Sequence, residues 1–168
     1  MAQTNRNSDT IANLVATPRV INKPPYAGGV LRTAGGLIST AADDSSGAIG
    51  RFHRVPSNAC FYQMLITAAD ASSAGAINIG IYQTAENGGA VVDADLFASA
   101  FDLSGGPYAN YDVLIESGEM TQAERRTPLW QVLGLSSDPN IEYDVAYTIS
   151  TTFNGGPTAI SLYTAYWQ

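Results

Sequence analysis

The chain is a succession of short apolar runs cut off by turn-forming residues, and this spacing limits its fold more than any other feature. Runs such as AIGRFHRV, CFYQMLITA, AINIGIYQT and AISLYTAYW are separated by Gly, Asn, Ser and Pro within a strand's length. In AINIGIYQT the alternation is clean. Ile77, Ile79 and Ile81 fall on one face, and Asn78, Gly80 and Tyr82 on the other. In IEYDVAYTISTTF, read as the longest strand, Tyr143, Val145, Tyr147 and Ile149 oppose Glu142, Asp144, Thr148 and Ser150. One decent helix candidate stands against this background, near residues 121–134, TQAERRTPLWQVLG. There Thr121 and Glu124 fit a capping box, Gly134 fits a C-terminal cap, and Pro128 divides the segment into two short turns. The pattern predicts an all-β fold, a β-sandwich of about eight short strands of jelly-roll or related Greek-key type.

Several local expectations follow from the same grammar. Val30-Leu31 and Leu37-Ile38 are apolar pairs, each preceded by Gly-Gly, which reads as a hairpin or two edge segments. CFYQMLITA is apolar on both faces and is expected to be a central strand. Residues 91–103, VVDADLFASAFDL, are ambiguous between a strand and a helical turn, and YDVLIES reads as a strand. The stretch FNGGPT should turn the chain back into AISLYTAYW, giving a C-terminal β-hairpin.

Residues 1–27 read differently. Ser8 and Asp9 fit the cap of a short helix over TIANLVA, which Pro18 stops, and Pro24-Pro25 favours an extended polyproline segment. We therefore divide the chain into an extended N-terminal arm, 1–27, and a β-sandwich body, 28–168. Ordering a backbone costs about 1–2 kcal/mol per residue. Burying an apolar side chain returns about 2 kcal/mol. The arm's few apolar residues (Ile11, Leu14, Val15, Val20, Ile21 and Tyr26) are too sparse to offset that cost without a partner.

Charge separates the same two regions. Residues 1–54 carry six basic and three acidic side chains, a balance of +3, and residues 55–168 carry two basic and twelve acidic ones, −10; together these give the net charge of −7. A body this acidic repels a phosphate backbone, so nucleic-acid binding is not expected. No apolar run reaches the ~20 residues of a membrane span, and MAQTNRNSD carries no apolar signal core, so synthesis in a cytoplasm is expected.

Chemistry is sparse. The single cysteine, Cys60, rules out an internal disulfide, and its apolar neighbours mark it as a buried side chain. The single histidine, His53, sits between arginines in RFHRV, which disfavours its protonation. No GxSxG, P-loop or GxGxxG motif and no Cys/His pair for zinc occurs. Asp93 and Asp95, with Asp102 nearby, offer hard oxygens without the remainder of a calcium loop, so they are read as solvated or capping carboxylates. Neither enzyme activity, nor a metal, nor a cofactor is expected. The tyrosines and tryptophans are numerous, and on alternating strands they belong to a core or a subunit interface.

Three stretches, GAIGRFHRVPSNAC, NIGIYQTAENGGAVVDADLFASAFDLS and PLWQVLGLSSDPNIEYDVAYTIS, resemble in wording and order small structural proteins of tailed bacteriophages encoded near the major capsid protein. The resemblance covers most of residues 28–168 and supplies no functional residues. It implies a virion component made in the host cytoplasm and placed on the capsid exterior. Such a protein would be a capsid decoration, or cement, protein with a jelly-roll-like fold that binds the major capsid protein and stabilises the shell. The alternative is another virion module, such as a tail, head-fibre or host-glycan-binding domain. A homo-oligomer, dimer or trimer, is expected from low charge and many tyrosines. The arm is expected to hold the partner contacts, through Arg6, Arg19, Lys23, Pro24, Pro25 and Tyr26.

Overall fold

The computed structural model describes residues 16–18, 20, 29–41, 44–69, 74–154 and 159–168. Eight strands follow one another: β1 (Leu31–Ser39), β2 (Ile49–Pro56), β3 (Cys60–Ala68), β4 (Ala76–Gln83), β5 (Val91–Asp102), β6 (Tyr108–Asp112), β7 (Glu142–Thr151) and β8 (Ala159–Trp167). They pair antiparallel as β1 with β8, β2 with β7, β3 with β6 and β4 with β5. The chain is thus one long hairpin whose first half runs back along its second. Further pairs, β3 with β8 and β4 with β7, roll this ribbon into two four-stranded sheets, ordered β1-β8-β3-β6 and β2-β7-β4-β5. This is the jelly-roll arrangement.

In that order every connection crosses between the sheets except the one joining β4 to β5. The expected C-terminal hairpin is therefore corrected: β7 and β8 do not pair and lie in different sheets. At the first strand the hairpin reading is corrected too, although the stretch does lie at a sheet edge. Leu31 to Ser39 is one uninterrupted strand, in register with β8 from Leu31↔Trp167 to Ser39↔Ala159. Gly36 does not make a turn. A Cβ there would collide with the Phe52 carbonyl, so the glycine lets β1 lie close against β2 of the facing sheet. The turn between β4 and β5 does require glycine, because Gly88 and Gly89 take φ of 95° and 67°.

The ambiguous run 91–103 is β5, the longest strand at 12 residues, ahead of β7 with 10. Its register breaks repeatedly: Ile79 pairs with Ala98, but Ile81 pairs with Asp93. These bulges destroy the period-two signal. YDVLIES also shifts. β6 ends at Asp112, whose Oδ1 accepts from the backbone N–H groups of Met64 (3.2 Å) and Leu114 (3.1 Å). A side chain replaces the ladder partner there, and Val113 and Leu114 turn into the core. β3 is central as expected, between β8 and β6, but only one face is fully buried: Phe61, Met64, Ile66 and Ala68 point inward while Tyr62 stays 52% exposed.

The segment 121–134 holds a 3-10 turn at Glu124–Arg126 and the one-turn helix α1 (Leu129–Val132), separated at Pro128 as expected. Glu124 Oε2 accepts from both the backbone N–H and the hydroxyl of Thr121, at 2.7 Å each. The backbone N–H groups of Leu129 and Trp130 donate to the carbonyls of Ala59 and Ser57, tying α1 to the β2–β3 turn. Between the sheets, Tyr143, Val145, Tyr147 and Ile149 of β7 meet Phe52, Phe61, Phe97 and Ile160 in one core, with Phe61 edge-on to Phe97 at 4.9 Å.

Candidate interaction surface

The outer faces of the two sheets differ in chemistry. On the second sheet, β7 turns Asp144 outward, yet the residue is buried, because two arginines of β2 close over it. Arg51 Nη1 donates to Asp144 Oδ2 at 2.8 Å and Arg54 Nε to Oδ1 at 3.1 Å. Arg51 also donates to the carbonyls of Gln83 and Gly89 and stacks over the Tyr82 ring, while Arg54 reaches Glu86 at 2.8 Å. This clasp joins β2, β7 and the β4–β5 turn, with Nη1 and Nη2 of Arg51 and Nε and Nη2 of Arg54 bound to the protein's own acceptors.

On the first sheet, β1, β8 and β3 together contain one charged side chain, Arg32. Their outward positions carry Leu31 (48% exposed), Leu37 (70%), Tyr62 (52%) and Tyr163 (46%), with Leu65 and Trp167 half-buried beside them. Tyr62 meets Trp167 edge-on at 6.1 Å. Arg125 bounds the patch on the β6 side, donating to the Tyr62 carbonyl and to Asp112. The tyrosines expected as core or interface thus divide: Tyr82, Tyr143, Tyr147 and Tyr166 are buried, and Tyr62, Tyr111 and Tyr163 are exposed.

Of the reactive groups, His53 lies on β2 and Asp93 and Asp95 on β5, all in the second sheet, while Cys60 opens β3 opposite Trp167. His53 follows a bulge in β2 and both its ring nitrogens are buried without a hydrogen-bond partner; burial lowers its pKa to about 4. Desolvation, rather than the flanking arginines, is thus what keeps it neutral. Burial also pushes the Cys60 thiol up to about 11, as expected of an inert core cysteine. Asp93 and Asp95 come together, but their third neighbour is Glu119 instead of Asp102. The three offer ligand oxygens within 4.8 Å of one another, the grouping of this kind among the described residues. Mutual repulsion raises the Glu119 pKa, chiefly through Asp93. Asp102 instead accepts from the Ser104 hydroxyl and N–H, and these bonds lower its pKa. Nothing in the sequence joins Glu119 to Asp93, since only the fold brings that turn beside β5.

The expected partner contacts Arg6, Arg19, Lys23, Pro24, Pro25 and Tyr26 lie outside the described residues, as does the short helix expected over TIANLVA apart from its last residue.

The fold and surface together define an eight-stranded jelly roll with one sheet clasped by charged side chains and one whose outer face across β1, β8 and β3 is apolar and partly aromatic, without a carboxylate. Among solved structures, a chain of the "Cyanophage Pam1 capsid asymmetric unit" is similar in fold, with a TM-score of 0.55 and 13% identity over 99% of each chain. No protein-family model matches the sequence, and no curated protein matches it.

Proposed function

We propose that this chain is a non-enzymatic virion structural protein, a decoration or cement protein that binds the outer surface of a phage capsid shell and stabilises it. The observation that carries this reading is the fold likeness to a chain of a phage capsid asymmetric unit, which spans 99% of both chains. The resemblance in wording to small phage structural proteins supports it independently. The body acts as a rigid block, and residues 1–27 act as a tether to the major capsid protein, with Arg6, Arg19, Lys23, Pro24, Pro25 and Tyr26 as contacts. The protein works as a homo-oligomer, so that several weak contacts add up on the shell.

The test is to add full-length protein, and protein lacking residues 1–27, to shells that lack it, counting copies bound and measuring the heat resistance of the particle. Full-length protein should bind and raise the temperature of shell disruption. If it does neither, the cement reading fails. A second reading, a host-glycan-binding module, is favoured by the exposed Tyr62 and Tyr163 on one sheet face. Specific retention on a glycan array without binding to shells would select it.

A further inference from the structure

The four sheet edges are unequally protected. Edge strands invite pairing unless charge, bulges or proline blunt them. At one edge β2 carries Arg51, Arg54, a register break and Pro56. β5 carries Asp93, Asp95, several register breaks and a positive φ at Ala100. β6 is only 5 residues long, with a register break and the Asp112–Arg125 pair. β1 is the least protected: among the described residues its nine positions pair without a break, contain no proline and hold a single charge, Arg32. The unprotected strand borders the uncharged outer face of β8 and β3, so two independent features mark the same side of the molecule.

We propose that this side, the outer face of β1, β8 and β3, is where a second copy of the chain docks, with Leu31, Leu37, Tyr62 and Tyr163 at the contact. Charge selects a second copy as the occupant. Each copy carries −7, so two copies repel over most of their surfaces. The face from β1 to β3 has no carboxylate and a single charge, Arg32, so two copies meet there with far less like-charge repulsion than elsewhere on their surfaces. A partner recognised by charge would find almost nothing to read there. The extent of the face agrees. Three strands about 4.8 Å apart and nine residues long at about 3.3 Å each span roughly 400 Å² of flat area. Counting the relief of the side chains on both copies, the contact approaches the ~1,000 Å² of the smallest specific interfaces. A reversible, micromolar association is the expected strength. The inference builds on the homo-oligomer reading but does not depend on binding to a shell.

Sedimentation equilibrium of the full chain from about 1 to 100 µM tests it. The wild type should associate reversibly, and more tightly at about 0.5 M than at 0.05 M salt, because screening removes the net repulsion while the contact itself is uncharged. The double variant L37K/Y163K, altered only at exposed positions, should associate at least 10-fold more weakly while melting like the wild type. I49K, on the other sheet, should associate normally. A wild type monomeric throughout, or a double variant that associates as well as the wild type, overturns the proposal. In the second case self-association stands but lies elsewhere. Either failure leaves the shell-binding experiment to be decided separately.

Discussion

At His53 a bulge in β2 breaks the regular alternation, and the imidazole is held where its nitrogens have no partners. The unfolded chain takes up a proton near pH 6.5, but the folded protein does so only near pH 4. Between these values the unfolded state binds more protons, so stability must fall as the pH drops from about 6.5 to about 4. The shift corresponds to about 2–3 kcal/mol once partial screening is allowed for. H53F should flatten this part of the pH–stability curve and cost nothing at pH 7, since it removes orphaned polar atoms. An unchanged slope in H53F would show that other groups control it; Glu119, held high by Asp93, works with the opposite sign in the same window. Gly80 is a second constrained residue, because a Cβ there would collide with the Asp93 carbonyl and the Ala94 backbone. G80A should cost on the order of 3 kcal/mol or prevent folding, measured by denaturant unfolding. A loss under about 0.5 kcal/mol would mean that β5 moves aside easily.

Among the elements, β2 and β7 are joined on their outer side by the clasp at Asp144. D144N keeps the shape but removes two charge-assisted acceptors facing Arg51 and Arg54, and should cost about 2–3 kcal/mol. E86Q, at the exposed end of the same network, should leave the unfolding midpoint unchanged, because exposed ion pairs gain little over water. Equal losses in the two variants would overturn this ranking of buried against exposed pairs. On β5, Asp93 Oδ1 accepts from the Asp95 N–H and Asp95 Oδ2 from the Ser99 hydroxyl, so both carboxylates have partners within the chain. Chelation should therefore leave Tm unchanged. A fall of several degrees would make Asp93, Asp95 and Glu119 metal ligands.

For the whole molecule, the division into arm and body predicts that folding and assembly separate. Deleting residues 1–27 should leave cooperative unfolding nearly intact, because all eight strands lie after residue 30. Binding to shells should weaken by orders of magnitude. Charge reversal at Arg6, Arg19 and Lys23 should weaken it less, and more at low salt than at high. If the truncated protein decorates shells as well as the full chain, the arm is a passive tail. The all-β class, the central place of β3, the inward face of β7 and the break at Pro128 were legible in advance. Each depends on alternation or on proline chemistry within one stretch of chain. At β1, read as a hairpin or two edge segments, the edge position held and the hairpin did not; that hairpin and the one at the C-terminus failed for one reason: Gly-Gly and Asn-Gly-Gly mark places where a backbone bends or is approached closely, and do not say which. In this protein Gly36 meets the Phe52 carbonyl of the other sheet, and β7 and β8 belong to different sheets. Local order along the chain thus determined the strands and their faces, because side-chain alternation is a property of neighbouring residues. Only the tertiary structure decided which strands pair, that Glu119 joins Asp93 and Asp95, and that the outer face of β1, β8 and β3 is left without a carboxylate. Those depend on residues far apart in the chain meeting across a ladder or a core, and no spacing within a single strand encodes them.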